Sequence, residues 1–381
     1  MNIVILGTAY PFRGGLAVYN ERLAREFMAE GHNVTIVTFT LQYPDFLFPG
    51  KTQYADWEAP EELNIVRKLN SVNPLSWYKT AKYIKSLNPD LLIVKYWLPF
   101  MGPAFGTVAK LVKRNKKTKV ISILDNIIPH EKRVGDKPFS KYFVNNVDAF
   151  VGMSESVLND LNQFTLDKPR EFCPHPLYDN FGKAVDRKDA IKHLNLDENT
   201  NYLLFFGLIR DYKGLDILLQ AFADERISNM NVKLIVAGEF YSSSEKYLEM
   251  IENLHLKDKV ILHSEFVPDS EVSYFFCASD IIVQPYKTAT QSGVTQIAYH
   301  FEKPMIVTNV GGLPEIVPHG KSGYVVEPNP DEIAGAIVDF YENNKISVFD
   351  AGIKEEKKKY EWSRMTGTII NLYQQINDNK K

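Results

Sequence analysis

At 381 residues the chain is too long for one ordinary hydrophobic core and comfortable for two domains. Hydrophobic residues make up 45% and charged residues 24%, the profile of a soluble globular protein. Lys plus Arg total 44 against 47 Asp plus Glu, and the net charge of -3 supplies no field for wrapping nucleic acid.

Cys173 and Cys277 stand far apart. They cannot complete a four-ligand zinc site, and they suggest a reducing compartment rather than a disulfide framework. The start, MNIVILGTAY, runs into a strand with no basic n-region, so no signal peptide is expected. The most apolar long window, LLIVKYWLPFMGPAFGTVAKLV, is interrupted by Lys95, Pro99 and Pro103 and falls short of a membrane span. A cytoplasmic protein is expected.

Short β-branched runs alternate with helical patterns along the chain. Strands are expected at 2–6, 33–38, 90–94, 119–124 and 149–153, and after a break at 202–206, 232–237, 259–263, 280–284 and 305–308. Between them apolar residues recur at helical spacing, as in Leu16, Tyr19, Leu23 and Phe27, or Leu215, Leu218, Leu219 and Phe222. Strands that are apolar throughout, joined by helices, indicate parallel sheets covered on both faces. The break, CPHPLYDNFGKAVDRKD near 173–189, has the prolines, glycine and scattered charge of an interdomain linker. Two doubly wound α/β domains follow, 1–178 and 179–362, with ligands expected at the carboxyl ends of their strands. The last helix, 363–381, lies beyond the second set of strands and is expected to pack back on the first domain.

Each half opens with a strand, a glycine-bearing loop and a helix. Gly14-Gly15 ends the first such loop. Glycine lets backbone approach a ligand, and a helix N-terminus offers N–H groups to an anion, although a tight turn alone would also explain the pair. The loop lacks G-x-G-x-x-G spacing, and the second strand ends Thr38-Phe39-Thr40 where a dinucleotide site needs an acid, so a dehydrogenase is disfavoured. The second loop, Gly207-Leu-Ile-Arg210-Asp-Tyr-Lys213-Gly214, puts two cations before a helix, where the macrodipole opposes them. A bound diphosphate would explain both cations; the alternative is two solvated charges, one of them paired with Asp211. Further on, Gln291-Ser292-Gly293-Val294-Thr295 opens another helix, with Thr290 or Ser292 as its cap, and Gly311-Gly312-Leu-Pro-Glu315 repeats the pattern. Three anion-friendly loops describe a nucleotide-diphosphate site.

On PFRGGLAVYNERLAREFMAEGHNVTIVT, GLIRDYKGLDILLQAF and QSGVTQIAYHFEKPMIVTNVGGLPEIVPHGKSGYVVEP, in this order over nearly the whole chain, the sequence resembles the family 4 (group 1) glycosyltransferases. The resemblance implies a GT-B fold and a retaining, hexosyltransferase-type enzyme that uses a nucleotide sugar without cofactor or metal. It implies that Gly14 and Gly15 meet the donor phosphates from the first domain, that Arg210 and Lys213 hold them from the second, and that Ser292, Gly293, Val294 and Thr295 cap them. Phe266 and Val267 would meet the base, with Gly207, Glu239, Gln291 and Gln296 on the nucleotide or sugar. One departure stands out. Aligning Lys303-Pro304 with the family's GKP puts Ala289 and Ile297 where two glutamates usually stand, and Gln291 and Gln296 are left to supply neutral hydrogen bonds.

On the acceptor side, Asp125 and His130 are candidates to position a hydroxyl, and Lys132-Arg133 to meet a phosphate. Ser154-Glu155-Ser156 reads as a helix cap. The run KLVKRNKKTK at 110–119 carries six cations and no acid, fitting either a helix C-terminus or peripheral contact with anionic lipid at the inner membrane face. The expected function is sugar transfer to a glycan or lipid-linked acceptor in cell-surface polysaccharide synthesis. A catalytically silent sugar-nucleotide scaffold and, less favoured, a nucleotide-sugar epimerase remain as alternatives.

Overall fold

A computed structural model describes residues 1–44, 53–55, 58–129, 135–241, 243–289 and 292–378. The chain folds as two compact units, Met1–His175 with Glu361–Lys381, and Pro176–Tyr360.

In the first unit seven strands form one parallel sheet: β1 Asn2–Leu6, β2 Asn33–Leu41, β3 Ile65–Asn70, β4 Leu91–Tyr96, β5 Lys119–Leu124, β6 Ala149–Gly152 and β7 Arg170–Phe172. They lie in the order β3-β2-β1-β4-β5-β6-β7. Alternation along β1 sends Ile3 and Ile5 to one face and Val4 and Leu6 to the other. The first face packs on helix Gly15–Ala29 through Tyr19, Leu23 and Phe27, and on helix Trp362–Asp378 through Met365, Ile369 and Leu372. The opposite face packs on helices Pro74–Ser86 and Gly102–Val112. The terminal helix is also tied polarly: Lys119 Nζ donates to the Ile376 carbonyl at 2.8 Å, and Thr366 Oγ1 to Glu30.

The second unit has a six-stranded parallel sheet, β8 Asn201–Phe206, β9 Val232–Ala237, β10 Val260–His263, β11 Ile281–Gln284, β12 Met305–Thr308 and β13 Gly323–Val326. Their order is β10-β9-β8-β11-β12-β13. Helix Leu215–Phe222 buries Leu215, Leu218, Leu219 and Phe222, as the spacing predicts. Three strands, β3, β7 and β13, lie at sheet edges and were not expected from the sequence. β3 carries exposed Arg67 and Lys68 in place of a continuous apolar run, and β7 is three residues long.

The basic run at 110–119 is not the six-cation face its sequence suggests. Lys113 pairs with Asp148 at 2.5 Å, Lys117 with Asp90 at 2.9 Å, and Lys119 is buried against the terminal helix.

Because Ile369 is fully buried between the terminal helix and the first sheet, Ile369→Ala should destabilise the first unit by about 2–4 kcal/mol. Urea unfolding followed by hydrogen exchange would show protection lost from β1 and β5 and retained in β8 and β11. Equal loss in both units would contradict this packing.

Candidate functional site

In the second unit the loop after β8 begins at Gly207, with φ of 96, and ends at Gly214, with φ of 71. A Cβ on Gly214 would stand 1.8 Å from the Pro285 carbonyl oxygen, so glycine alone lets this loop lie against the one after β11. These two loops flank the point where strand order reverses, the usual ligand position in doubly wound sheets.

Lys213 is buried there. A Cβ on Gly207 would come within 3.0 Å of Lys213 Nζ and 3.8 Å of Val294 Cγ2, so the ammonium sits between the Gly207 turn and the start of helix Gly293–His300. Burial pushes Lys213 down to about 8, and the neighbouring Arg210 charge adds to the effect. The Arg210 guanidinium lies over the Tyr241 ring, 3.9 Å from its centroid, with its Nε sealed from water and no acceptor. Pairing of the Ile209 N–H with the Glu239 carbonyl at 2.8 Å, and of the Tyr241 N–H with the Ile209 carbonyl at 3.1 Å, brings that ring under Arg210.

Asp211 is the acid the sequence offers to neutralise one of these cations. It does not do so. Asp211 pairs with Lys246 at 3.1 Å and Lys287 at 3.0 Å, and Asp216 with the same two lysines at 3.0 and 2.8 Å. Hydrogen bonds from Lys287 and Lys246 hold Asp211 below its ordinary range. Among the described residues, Arg210 and Lys213 form no ion pair. A buried, unpaired ammonium beside a guanidinium is costly in the empty protein, and an anion would remove the cost.

Ser292 caps helix Gly293–His300, accepting from the Val294 N–H at 3.2 Å, donating to Gln284 Oε1 at 2.7 Å and contacting Tyr286 Oη at 3.2 Å. The other N–H groups of the first turn have no carbonyl four residues back within the helix. Gln296 is buried with its Oε1 unpartnered, and the Nε2 of buried Gln284 is likewise unpartnered. Ile297 is 6% exposed inside the apolar core and Ala289 packs against it, so neither place expected for a glutamate carries a polar group. Glu239 and Phe266 are exposed and Val267 is half-buried.

In the first unit, Gly14 takes φ of 102 before the exposed start of helix Gly15–Ala29, which has no side-chain cap and no acid in its first turn. Asp125, at the end of β5, accepts from Lys95 Nζ at 2.7 Å. Lys95 is fully enclosed, its Nζ 3.4 Å from the Tyr19 ring centroid. Burial pushes it down while Asp125 pulls it back up. Ser154 is a cap, accepting from Val157 N–H at 3.3 Å. Thr290, Gln291, His130, Lys132 and Arg133 lie outside the described residues.

Lys95 and Tyr241 were missed in the sequence. A lone lysine inside an otherwise apolar strand signals a buried partner, and Lys95 could have been read that way. Tyr241 carries no local signal, since its contact depends on the crossing of two loops.

Residues 186–359 match the model for glycosyl transferases group 1, and residues 13–174 that for Glycosyltransferase Family 4. Each half of the chain is thus similar to a glycosyltransferase family, the second half to group 1. An uncharacterized glycosyltransferase of Methanocaldococcus jannaschii is 24% identical over 99% of both chains. The N-acetyl-alpha-D-glucosaminyl L-malate synthase of Bacillus anthracis is 24% identical over 86% of this chain and 84% of its own. Among solved structures, a glycosyltransferase from Rickettsia africae superposes with a TM-score of 0.70 at 16% identity, covering 99% of both chains. HepE from Anabaena, in complex with UDP, gives 0.67 at 16%, covering 100% of this chain and 99% of its own. The fold is GT-B.

The unpaired ammonium makes a signed prediction. Below pH 8 both folded and unfolded chains hold the Lys213 proton, and the folded state bears the cost of burying it. As pH rises from about 8 toward the ordinary lysine value of 10.5, the folded chain sheds the proton first, and this group's contribution to stability increases. Lys213→Met should raise the melting temperature of the unliganded protein at pH 7, and the gap to wild type should narrow above pH 8. A lower melting temperature at pH 7 would make Lys213 a structural residue.

Proposed function

We propose that the protein is a retaining glycosyltransferase of family 4 that moves a sugar from a nucleoside diphosphate to a hydroxyl of a glycan or lipid-linked acceptor. The observation that carries the reading is the pair Arg210 and Lys213, without carboxylate partners among the described residues, at the carboxyl end of β8. In such a transfer the bond between the anomeric carbon and the phosphate oxygen breaks, and the acceptor oxygen bonds the same face of that carbon. The acceptor proton passes to the departing phosphate oxygen. Negative charge grows on the leaving diphosphate, where preorganised donors lower the barrier, one donor being worth about 3 kcal/mol. Arg210 offers a planar fork, Lys213 a point charge and the 292–295 turn its N–H groups. These groups can carry the charge without a divalent metal. Gly14 and Gly15 are proposed to bind phosphate, and Phe266 and Val267 the base.

Gln296, and Gln291 beside it in sequence, take the place of the family's glutamates in this reading as neutral partners for sugar or ribose hydroxyls. Loss of a ribose contact weakens binding of ground and transition states alike, so turnover survives it. For the acceptor, Asp125 is proposed to receive its hydroxyl on the carboxylate oxygen that Lys95 does not hold, with His130 nearby in sequence. Synthesis of cell-surface polysaccharide, by a protein on the cytoplasmic side of the membrane, is the proposed setting. Apolar Ala289 and Ile297 favour a second reading, a scaffold that binds sugar nucleotides without transferring them.

Thermal shift with UDP, GDP and ADP and their sugar conjugates, with and without EDTA, tests the donor. Uridine nucleotides come first because HepE, of the same fold, has been solved with UDP and UDP-glucose. One base should raise the melting temperature irrespective of EDTA. Slow release of free sugar from that conjugate, abolished in Lys213→Ala, would support an enzyme. Binding without release would leave the scaffold reading. No shift with any nucleotide would refute both.

A further inference from the structure

Between Leu63 and Pro89 the chain has five cations, Arg67, Lys68, Lys79, Lys82 and Lys85, and no acidic residue. In a protein of net charge -3 that is a local excess of one sign. Helix Pro74–Ser86 turns its apolar side, Thr80, Ala81 and Ile84, into the first unit. Its opposite side is also apolar at one end. Leu75 is 73% and Tyr78 60% exposed, and Val72 just before the helix is 47% exposed.

At about 100° per residue, Leu75, Tyr78, Lys79, Lys82 and Lys85 fall within an arc of about 120°. Single exposed apolar residues are ordinary. An aliphatic and an aromatic side chain on one face with three lysines are not. Among the described residues Lys79, Lys82 and Lys85 have no ion pair and no side-chain hydrogen bond, whereas the cations of the 110–119 run are half consumed.

We propose that this face of helix Pro74–Ser86 docks the protein on an anionic lipid bilayer. Leu75 and Tyr78 enter the headgroup boundary, and the three lysines lie along the surface among the anionic headgroups. Lysine stems cover apolar surface while their ammonium groups stay at the polar level, and tyrosine suits the same depth. A second copy of the chain is a poor occupant, since the face would meet its own charge. Among the described residues no helix is long and apolar enough to cross a membrane. The proposal does not depend on catalysis, and for a lipid-linked acceptor it would bring enzyme and acceptor to one plane.

Sedimentation of the full chain with phosphatidylcholine vesicles containing 30% phosphatidylglycerol tests it. Wild type should partition onto them, not onto pure phosphatidylcholine, and should be released by 0.5 M salt. Near such a surface each lysine contributes roughly fivefold, so Lys79→Glu with Lys82→Glu should cut partition by at least about tenfold. Leu75→Ser with Tyr78→Ser should lower it with charge unchanged. Arg114→Glu with Lys116→Glu, which removes equal charge elsewhere, should change it less than about threefold. Circular dichroism would confirm that each variant folds. Equal loss in the 114/116 variant, no effect of Leu75→Ser with Tyr78→Ser, or binding to heparin but not to vesicles would each overturn the proposal.

Discussion

The arrangement of the second unit turns on where four charges find partners. Lys246 and Lys287 take both Asp211 and Asp216, and that leaves Arg210 and Lys213 with no ion pair among the described residues. A buried ammonium beside a guanidinium repels its neighbour and has lost its water; the Tyr286 ring lies 5.8 Å from it, but among the described residues no carboxylate answers it. Folding tolerates this because the rest of the unit over-determines the loop. Gly214 locks it against Pro285, Tyr241 supports the Arg210 guanidinium, and Leu215, Leu218 and Leu219 anchor the helix behind it. Stability is given up locally at a place where an incoming anion can restore it.

The first unit answers its own buried cation. Lys95 lies deeper than Lys213, yet Asp125 is 2.7 Å from its ammonium and the Tyr19 ring faces it. The contrast separates a lysine paired with an internal carboxylate from one that has no ion pair among the described residues. It also defines Asp125, whose carboxylate is held in place from below at the carboxyl end of β5.

Much of this was legible in the sequence because parallel strands buried on both faces are continuous apolar runs. β1, β2, β4, β5, β6 and β8 through β12 announce themselves in that way. Three of the four edge strands did not. β3 breaks its run with Arg67 and Lys68, β7 is three residues long, and β13 is short and begins with Gly323. The cations of the Gly207–Gly214 loop could be named as an anion site, but whether Asp211 cancels them depends on Lys246 and Lys287, which are far off in sequence. Composition likewise pointed to 110–119 as the basic surface, whereas Asp90 and Asp148, brought close only by the fold, remove two of its charges. The Ser292 cap was legible from local chemistry. The burial of Ile297 and the unpartnered Gln296 Oε1 needed the packed helix.

Proton uptake on nucleotide binding tests the central claim most directly. Calorimetric titration of the nucleoside diphosphate at pH 8.5, in buffers of different ionisation enthalpy, counts the protons taken up. A Lys213 side chain whose proton affinity is lowered by burial in the empty site and restored beside the bound diphosphate must draw a proton from solution on binding. The account predicts net proton uptake in wild type and close to none in Lys213→Met. Tight binding with no uptake in wild type would show that the diphosphate is held without Lys213, and would contradict the account.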